Sequence, residues 1–240
     1  MDRLRSSDWS MAANTVCAMT ADELDALLAE QAAYYGARAA EYDATSPIPA
    51  DDASRAKLVD ALGVFAPRGR VLEVACGTGE WTATLARHAS ELTAIDASPE
   101  MLAIASKRVR DNHIRLIEAD IFDWRPDRHY DVVFFSAWLS HVPPGRFDRF
   151  WALVAECLDE TGRVFLIDEL PSVEAHERVI PDALAPVVER PLRSGARYRV
   201  VKGFHRPAEL SRRLAALGWT ISAHPVGWRF FYATASRAPS

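Results

Sequence analysis

The residues best suited to grip a small charged ligand sit in one run, VLEVACGTGEW at 71–81, where Glu73 precedes Gly77 and Gly79. Glycine lets a backbone approach a ligand closely, and a helix that follows offers unpaired N–H groups at its start. Asp96 stands seventeen residues after Gly79, at the end of the next apolar run. A carboxylate there can accept hydrogen bonds from ribose hydroxyls. Strand, glycine turn, helix, strand and acid together predict a nucleoside-containing ligand; the bland alternative is a tight turn that only shapes the chain. A dinucleotide fingerprint would carry a third glycine, yet the required position, counted from Gly77, holds Thr82. Glu73 would also repel a pyrophosphate, whereas it suits a ligand that carries an ammonium group.

A second set of candidates lies further along. SAWLSHVPP at 136–144 places His141 where a ring nitrogen can act as a base or as a hydrogen-bond donor to an acceptor oxygen, unless it is simply packed beneath the loop. Trp138 can wall a pocket or belong to the core. The stretch RPLRSGARYRVVKGFHR, 190–206, holds Arg190, Arg193, Arg197, Arg199, Lys202 and Arg206 with no acid among them. Its cations could hold an anion, arginine through a two-pronged bond and lysine as a point charge. A solvated edge strand blunted by charge is the other reading.

These residues need a scaffold that brings them together. Thr20 and Glu23 form a capping box ahead of Leu24, Leu27, Leu28, Ala32 and Tyr35 at helical spacing, so a helix should run to about Ala40. SPIPADD, 46–52, reads as a loop and 53–65 as a second helix. Strands are expected at 69–75, 92–96, 114–120, 130–137 and 163–169, with helices between them at 81–89, 99–110 and 146–158. A helix at 207–217 then leads to strands near 218–224 and 227–235 that can pair antiparallel. Such alternation implies an α/β fold with a doubly wound, mostly parallel sheet, because parallel neighbours need crossover helices. Residues 1–19 lack periodicity and read as a loose leader. Residues 20–240 read as one domain, with a helical cap at 20–66 and an α/β core at 67–240 that carries the basic insertion 190–206.

Composition narrows the class. The chain has 240 residues, 49% hydrophobic and 25% charged, which excludes disorder and a small disulfide scaffold. Its apolar runs are strand-sized, so no membrane association is expected. The three cysteines, Cys17, Cys76 and Cys157, form no close pair, and a reducing, cytoplasmic setting follows. The net charge of −5 argues against general nucleic-acid binding. The charge is uneven: residues 1–170 balance to −11 and residues 171–240 to +6.

With these residues assembled, VLEVACGTGEW resembles motif I of the class I S-adenosylmethionine (SAM) methyltransferases, Ala75 standing where a glycine is usual. AIDASPEML, with Asp96, resembles the ribose-binding segment, and Asp120-Ile121-Phe122 the segment that holds adenine. In YYGARAAEYD, Tyr34 and Arg38 share a helical face, and the resemblance implies that they hold the SAM carboxylate. The family's seven-stranded, Rossmann-like sheet with an antiparallel last strand is therefore expected. Cofactor contacts are implied at Tyr34, Arg38, Glu73, Ala75, Gly77, Gly79, Trp81, Asp96, Ala97, Met101, Asp120, Ile121, Phe122 and Ser136. A metal-dependent catechol-type enzyme would show an acid after the fourth strand and Asp-Asn after the fifth. Here Ser136-Ala137-Trp138 and Asp168-Glu169 stand in those places, so no metal is expected.

AWLSHVP, the spacing from Arg190 to Lys202, RVVKGFHRPAEL, LGW and FFYAT further resemble the dehydrophos-type phosphonate O-methyltransferases and related small-molecule O-methyltransferases. That likeness implies acceptor contacts from Tyr35, Trp138, His141, Arg190 and Lys202, with Arg190 and Lys202 on an oxyanion and His141 as the catalytic candidate. The expected activity is methyl transfer to an oxygen of a small, anionic acceptor, a phosphonate or a carboxylate, in specialised metabolism, by a monomer or homodimer. Methylation of a neutral hydroxyl or amine, a nicotinamide-dependent oxidoreductase and a SAM-binding protein without transfer activity are the alternatives.

Overall fold

A computed structural model describes residues 20–46, 52–181, 183 and 185–238. The leader 1–19 and most of the 46–52 loop lie outside the described residues. The first helix, α1 (Ala21–Arg38), starts where the sequence signals it. The Thr20 side chain accepts from the Glu23 N–H at 3.2 Å, and the Glu23 carboxylate accepts from the Thr20 N–H at 2.9 Å. A 3-10 turn leads to the short α2 (Tyr42–Thr45), and α3 (Asp52–Phe65) follows.

From Arg70 the chain alternates: β1 (Arg70–Val74), α4 (Glu80–Leu85), β2 (Glu91–Asp96), α5 (Pro99–Arg108), β3 (Ile114–Glu118), β4 (Tyr130–Ser136), α6 (Phe147–Cys157) and β5 (Leu158–Glu169). Then come β6 (Val187–Pro191), β7 (Arg197–Val201), α7 (Pro207–Ala216), β8 (Trp219–Val226) and β9 (Phe230–Arg237). Seven strands form one sheet in the order β3-β2-β1-β4-β5-β9-β8, in which β9 alone runs against the others. The winding reverses between β1 and β4, whose carboxyl ends therefore flank the crevice where such sheets take ligands.

The sheet is apolar on both faces, as its crossovers require. Val133 and Phe135 of β4 point into a cluster with Phe150 and Trp151 of α6. Val132 and Phe134 point the other way, against Leu58 and Leu62 of α3. So α3, expected in the cap, covers a sheet face instead. Burial of each such side chain stabilises the fold by about 1.5–3 kcal/mol.

Most boundaries fall within a few residues of expectation, and three differences bear on the packing. Helix α4 ends at Leu85, after which Arg87 and His88 turn tightly onto Thr84 and Leu85. Strand β5 begins at Leu158, pairing with Tyr130, and residues 159–162 bulge opposite Asp131 before pairing resumes at Arg163. The basic stretch forms the hairpin β6–β7, with Arg190 opposite Tyr198, but the pairing starts at Val187, before the basic residues. The hairpin packs on α1 through Leu27 with Val187 and Val201, and through Tyr34 with Val188 and Val200. Helix α1 and the hairpin thus cover the crevice together. No helix among the described residues is long and apolar enough to cross a membrane.

Candidate functional site

Motif residues enter the site at the end of β1. Ala75 takes a left-handed conformation, φ 54°, as do Gly77 at 55° and Gly79 at 80°. An alanine there stores strain of about 1–2 kcal/mol, and Ala137, at the end of β4, does the same with φ 51°. A Cβ on Gly77 would meet no protein atom within 4 Å, and Gly77 lines the cavity, so its backbone lies open to a ligand there. Gly79 serves packing instead, since a Cβ there would lie 3.0 Å from the Ala105 Cβ of α5. Asp96 clamps the turn: one carboxylate oxygen accepts from the Gly77 N–H at 2.8 Å and the other from the Ser98 N–H at 2.9 Å. Burial raises its pKa, and the two N–H bonds oppose the rise. Each oxygen keeps a lone pair for further donors.

A cavity of about 560 Å³ opens over this turn. Its wall includes Ala75, Gly77, Asp96, Ala97, Met101, Asp120, Ile121, Phe122 and Ser136 on the sheet side. From the cap come Tyr34, Tyr35 and Arg38, and toward the hairpin Trp138, His141, Arg190 and Lys202. Three of the implied cofactor contacts do not reach it, nor do Arg193, Arg197, Arg199 and Arg206 of the basic stretch. Gly79 faces α5, and Trp81 is core, its ring centroid 5.8 Å from that of Phe134. Glu73 is 2% exposed beneath the turn, outside the cavity wall. Burial, with Asp96 nearby, pushes its carboxyl up to about 8, and its Oε2 has no hydrogen-bond partner among the described residues. Ser136 Oγ and Trp138 Nε1 are likewise buried without a partner.

Arg38 bonds the Thr45 hydroxyl at 3.0 Å and the Thr45 carbonyl at 3.1 Å, with its guanidinium 4.8 Å from the Tyr42 ring centroid. It therefore closes the cap on itself at the cavity edge. Tyr42 is a wall residue that the sequence pattern did not single out.

At the other end the polar groups form a connected chain. His141 is 4% exposed, and its Nδ1 lies 2.6 Å from the Val201 carbonyl, which can only accept. Nδ1 therefore carries the proton, and Nε2 accepts from the Tyr35 hydroxyl at 2.9 Å. Burial, reinforced by Lys202 and Arg190, holds the imidazole well below its usual pKa, so it is neutral near pH 7. The Tyr35 oxygen in turn faces Arg190 Nη1 at 3.4 Å. Arg190 forks onto the Glu177 carboxylate through Nε and Nη2.

Lys202, with its side chain 1% exposed, bonds Glu169 Oε2 at 2.8 Å and the Ser140 hydroxyl at 2.9 Å. Arg229 bonds the other Glu169 oxygen at 3.0 Å. Burial alone would raise the Glu169 pKa, but Lys202 and Arg229 outweigh it and hold the carboxyl below its usual range. Asp168 fixes the 139–141 turn by accepting from the Ser140 N–H and hydroxyl, both at 2.8 Å. Glu169, Glu177 and Arg229 were not singled out as binding residues from the sequence, though all three line the cavity. An apolar cleft with three cations and two carboxylates at one end can orient a small acid.

Comparison with known proteins places this arrangement. A family model described as a methyltransferase domain matches residues 71–162. The DhpI–SAH complex superposes with a TM-score of 0.78 at 40% identity, covering 89% of this chain and 98% of that one. A DhpI–SAM–HEP complex matches at 0.78 and 40%, covering 88% and 97%. Trans-aconitate 2-methyltransferase of Escherichia coli O1:K1 is 37% identical over 75 residues, 30% of this chain. The chain spans 29% of the length of that curated relative.

Proposed function

Because this chain belongs to the class I SAM-dependent methyltransferases, we propose that it methylates an oxygen of a small anionic acceptor, a phosphonate or a carboxylate. The observation that carries this reading is the meeting of Arg190 and Lys202 on one cavity wall, Arg190 bonded to Tyr35 beside His141 and Lys202 to Ser140, although they come from opposite sides of a hairpin. The names of matched relatives point the same way: trans-aconitate is a carboxylic acid, and DhpI is complexed with HEP beside SAM.

The residues present fit SAM. Gly77 leaves open space where a side chain would stand, Ser136 offers an unpartnered hydroxyl, and Asp96 keeps lone pairs for ribose hydroxyls. Asp120, Ile121 and Phe122 would hold the adenine, Ala97 and Met101 would flank it, and Tyr34 with Arg38 would hold the carboxylate. Glu73 acts from beneath the turn, where its buried carboxyl favours a cationic neighbour. When bound, SAM supplies an electrophilic methyl group, so the transfer needs an aligned nucleophile more than a strong base.

An acid oxygen is ionised at neutral pH and needs no proton removed. That agrees with His141, whose two nitrogens are both engaged and whose ring is neutral. His141 orients the Tyr35 hydroxyl, and Tyr35, Arg190 and Lys202 hold the acceptor's oxygens. Trp138, on the same cavity wall, excludes water beside them.

A SAM-dependent assay across small phosphonates, carboxylic acids and phenols tests this, with Arg190→Ala and Lys202→Ala beside the parent. Acids should be methylated, and each substitution should raise the acceptor KM by about tenfold or more. Unchanged KM in both variants for the best acceptor refutes the anionic reading.

A further inference from the structure

Each cation at the acceptor end already holds a carboxylate of this chain, but the pairs are built differently. Glu169 ends a strand of the central sheet, is bonded by both Lys202 and Arg229, and has a side chain 7% exposed. It is a fixed counter-ion. Glu177 lies between β5 and β6, outside both strands, and among the described residues its carboxylate bonds only Arg190. Both partners line the cavity.

The two-pronged geometry that Glu177 makes with Arg190 is the one a phosphonate or carboxylate would adopt. We propose that Glu177 is a specificity-determining residue: its tethered carboxylate occupies Arg190 until an acid with an organic body displaces it, and so rejects free inorganic anions. This inference rests on the anionic-acceptor reading above. A tethered carboxylate competes at high effective concentration. Inorganic phosphate brings only its charge to that competition. An organic acid also covers the apolar face of Trp138 and can displace the glutamate. Selectivity then comes from a built-in rival as much as from attraction to the correct ligand.

Calorimetric titration of inorganic phosphate into the SAH-loaded protein tests the idea, comparing the parent with Glu177→Gln. Glutamine keeps an acceptor oxygen for Arg190 but removes the charge. Phosphate should bind the variant about tenfold tighter or more, and should become a competitive inhibitor against the best acid. Equal or weaker phosphate binding in a variant that still binds SAH overturns the proposal. If Glu177→Gln does not bind SAH, Glu177→Asp takes its place; its shortened carboxylate should also raise phosphate affinity, and no rise overturns the proposal equally. The titration involves no acceptor. An acceptor KM indifferent to Arg190→Ala would therefore sink the anionic-acceptor reading separately.

Discussion

Replacing Glu73 by glutamine should change how the stability of the ligand-free protein depends on pH. The buried carboxyl titrates at about 8 in the fold, against the ordinary 4.5. A group whose pKa is raised on folding contributes stability that is complete below the unfolded value and is lost as pH rises through the folded one. Here that window runs from 4.5 to about 8. The 3.5-unit difference between those values, at about 1.4 kcal/mol per unit, amounts to roughly 5 kcal/mol. Burial is complete enough that solvent screening takes little from this figure, and the whole fold is worth only about 5–15 kcal/mol. Glutamine has nearly the same shape and does not titrate. Urea unfolding of both proteins at pH 5, 6, 7 and 8 should therefore show the glutamine variant gaining on the parent by about 3–4 kcal/mol across the series. Parallel curves, within about 0.5 kcal/mol at every pH, would refute the placement of a buried acid without a cationic partner under the turn. The same variant should bind SAM more weakly in calorimetry, because the latent negative charge beneath the turn is gone.

Two other substitutions probe the neighbouring parts. His141 titrates below its usual range, so its contribution is present above about pH 6.5 and lost as pH falls below it. Relative to His141→Gln, the parent should lose about 1.4 kcal/mol per unit there by urea titration, and its kcat/KM should show no limb from this ring between about pH 6.5 and 8. Gly79→Ala combines a left-handed backbone with a Cβ 3.0 Å from Ala105. It should lower stability by about 2 kcal/mol or more in denaturant unfolding.

The glycine turn, Asp96 and the alternation of strands and helices were legible because the physics that places them is local. A strand, a tight turn and a helix complete themselves within about 30 residues, as one βαβ unit. The capping box at Thr20 is local in the same way. Trp81 shows the limit. It begins a helix beside the glycine turn, where an aromatic can face either the ligand or the core, and only the packing of α3 and Phe134 against that face decides for the core. Glu73 is similar: its acid type and position are plain in the sequence, but its burial and its separation from the cavity wall depend on how the turn folds over it.

What the chain order alone determined is the repeating βαβ unit and the bare turn with its acid, since each follows from periodicity and from the backbone freedom of glycine. What only the tertiary structure decided is the charge pairing at the far end of the cavity. Arg229 reaches Glu169 because β5 and β9 pair with Glu169 opposite Phe230. Lys202 can be buried only because that same glutamate lies within reach of it. Tyr35 lies 155 residues from Arg190 in sequence, and Glu177 reaches it from outside the hairpin, 13 residues earlier. Charge strengths between such groups depend on distance and desolvation, and both are set by the folded packing rather than by spacing along the chain.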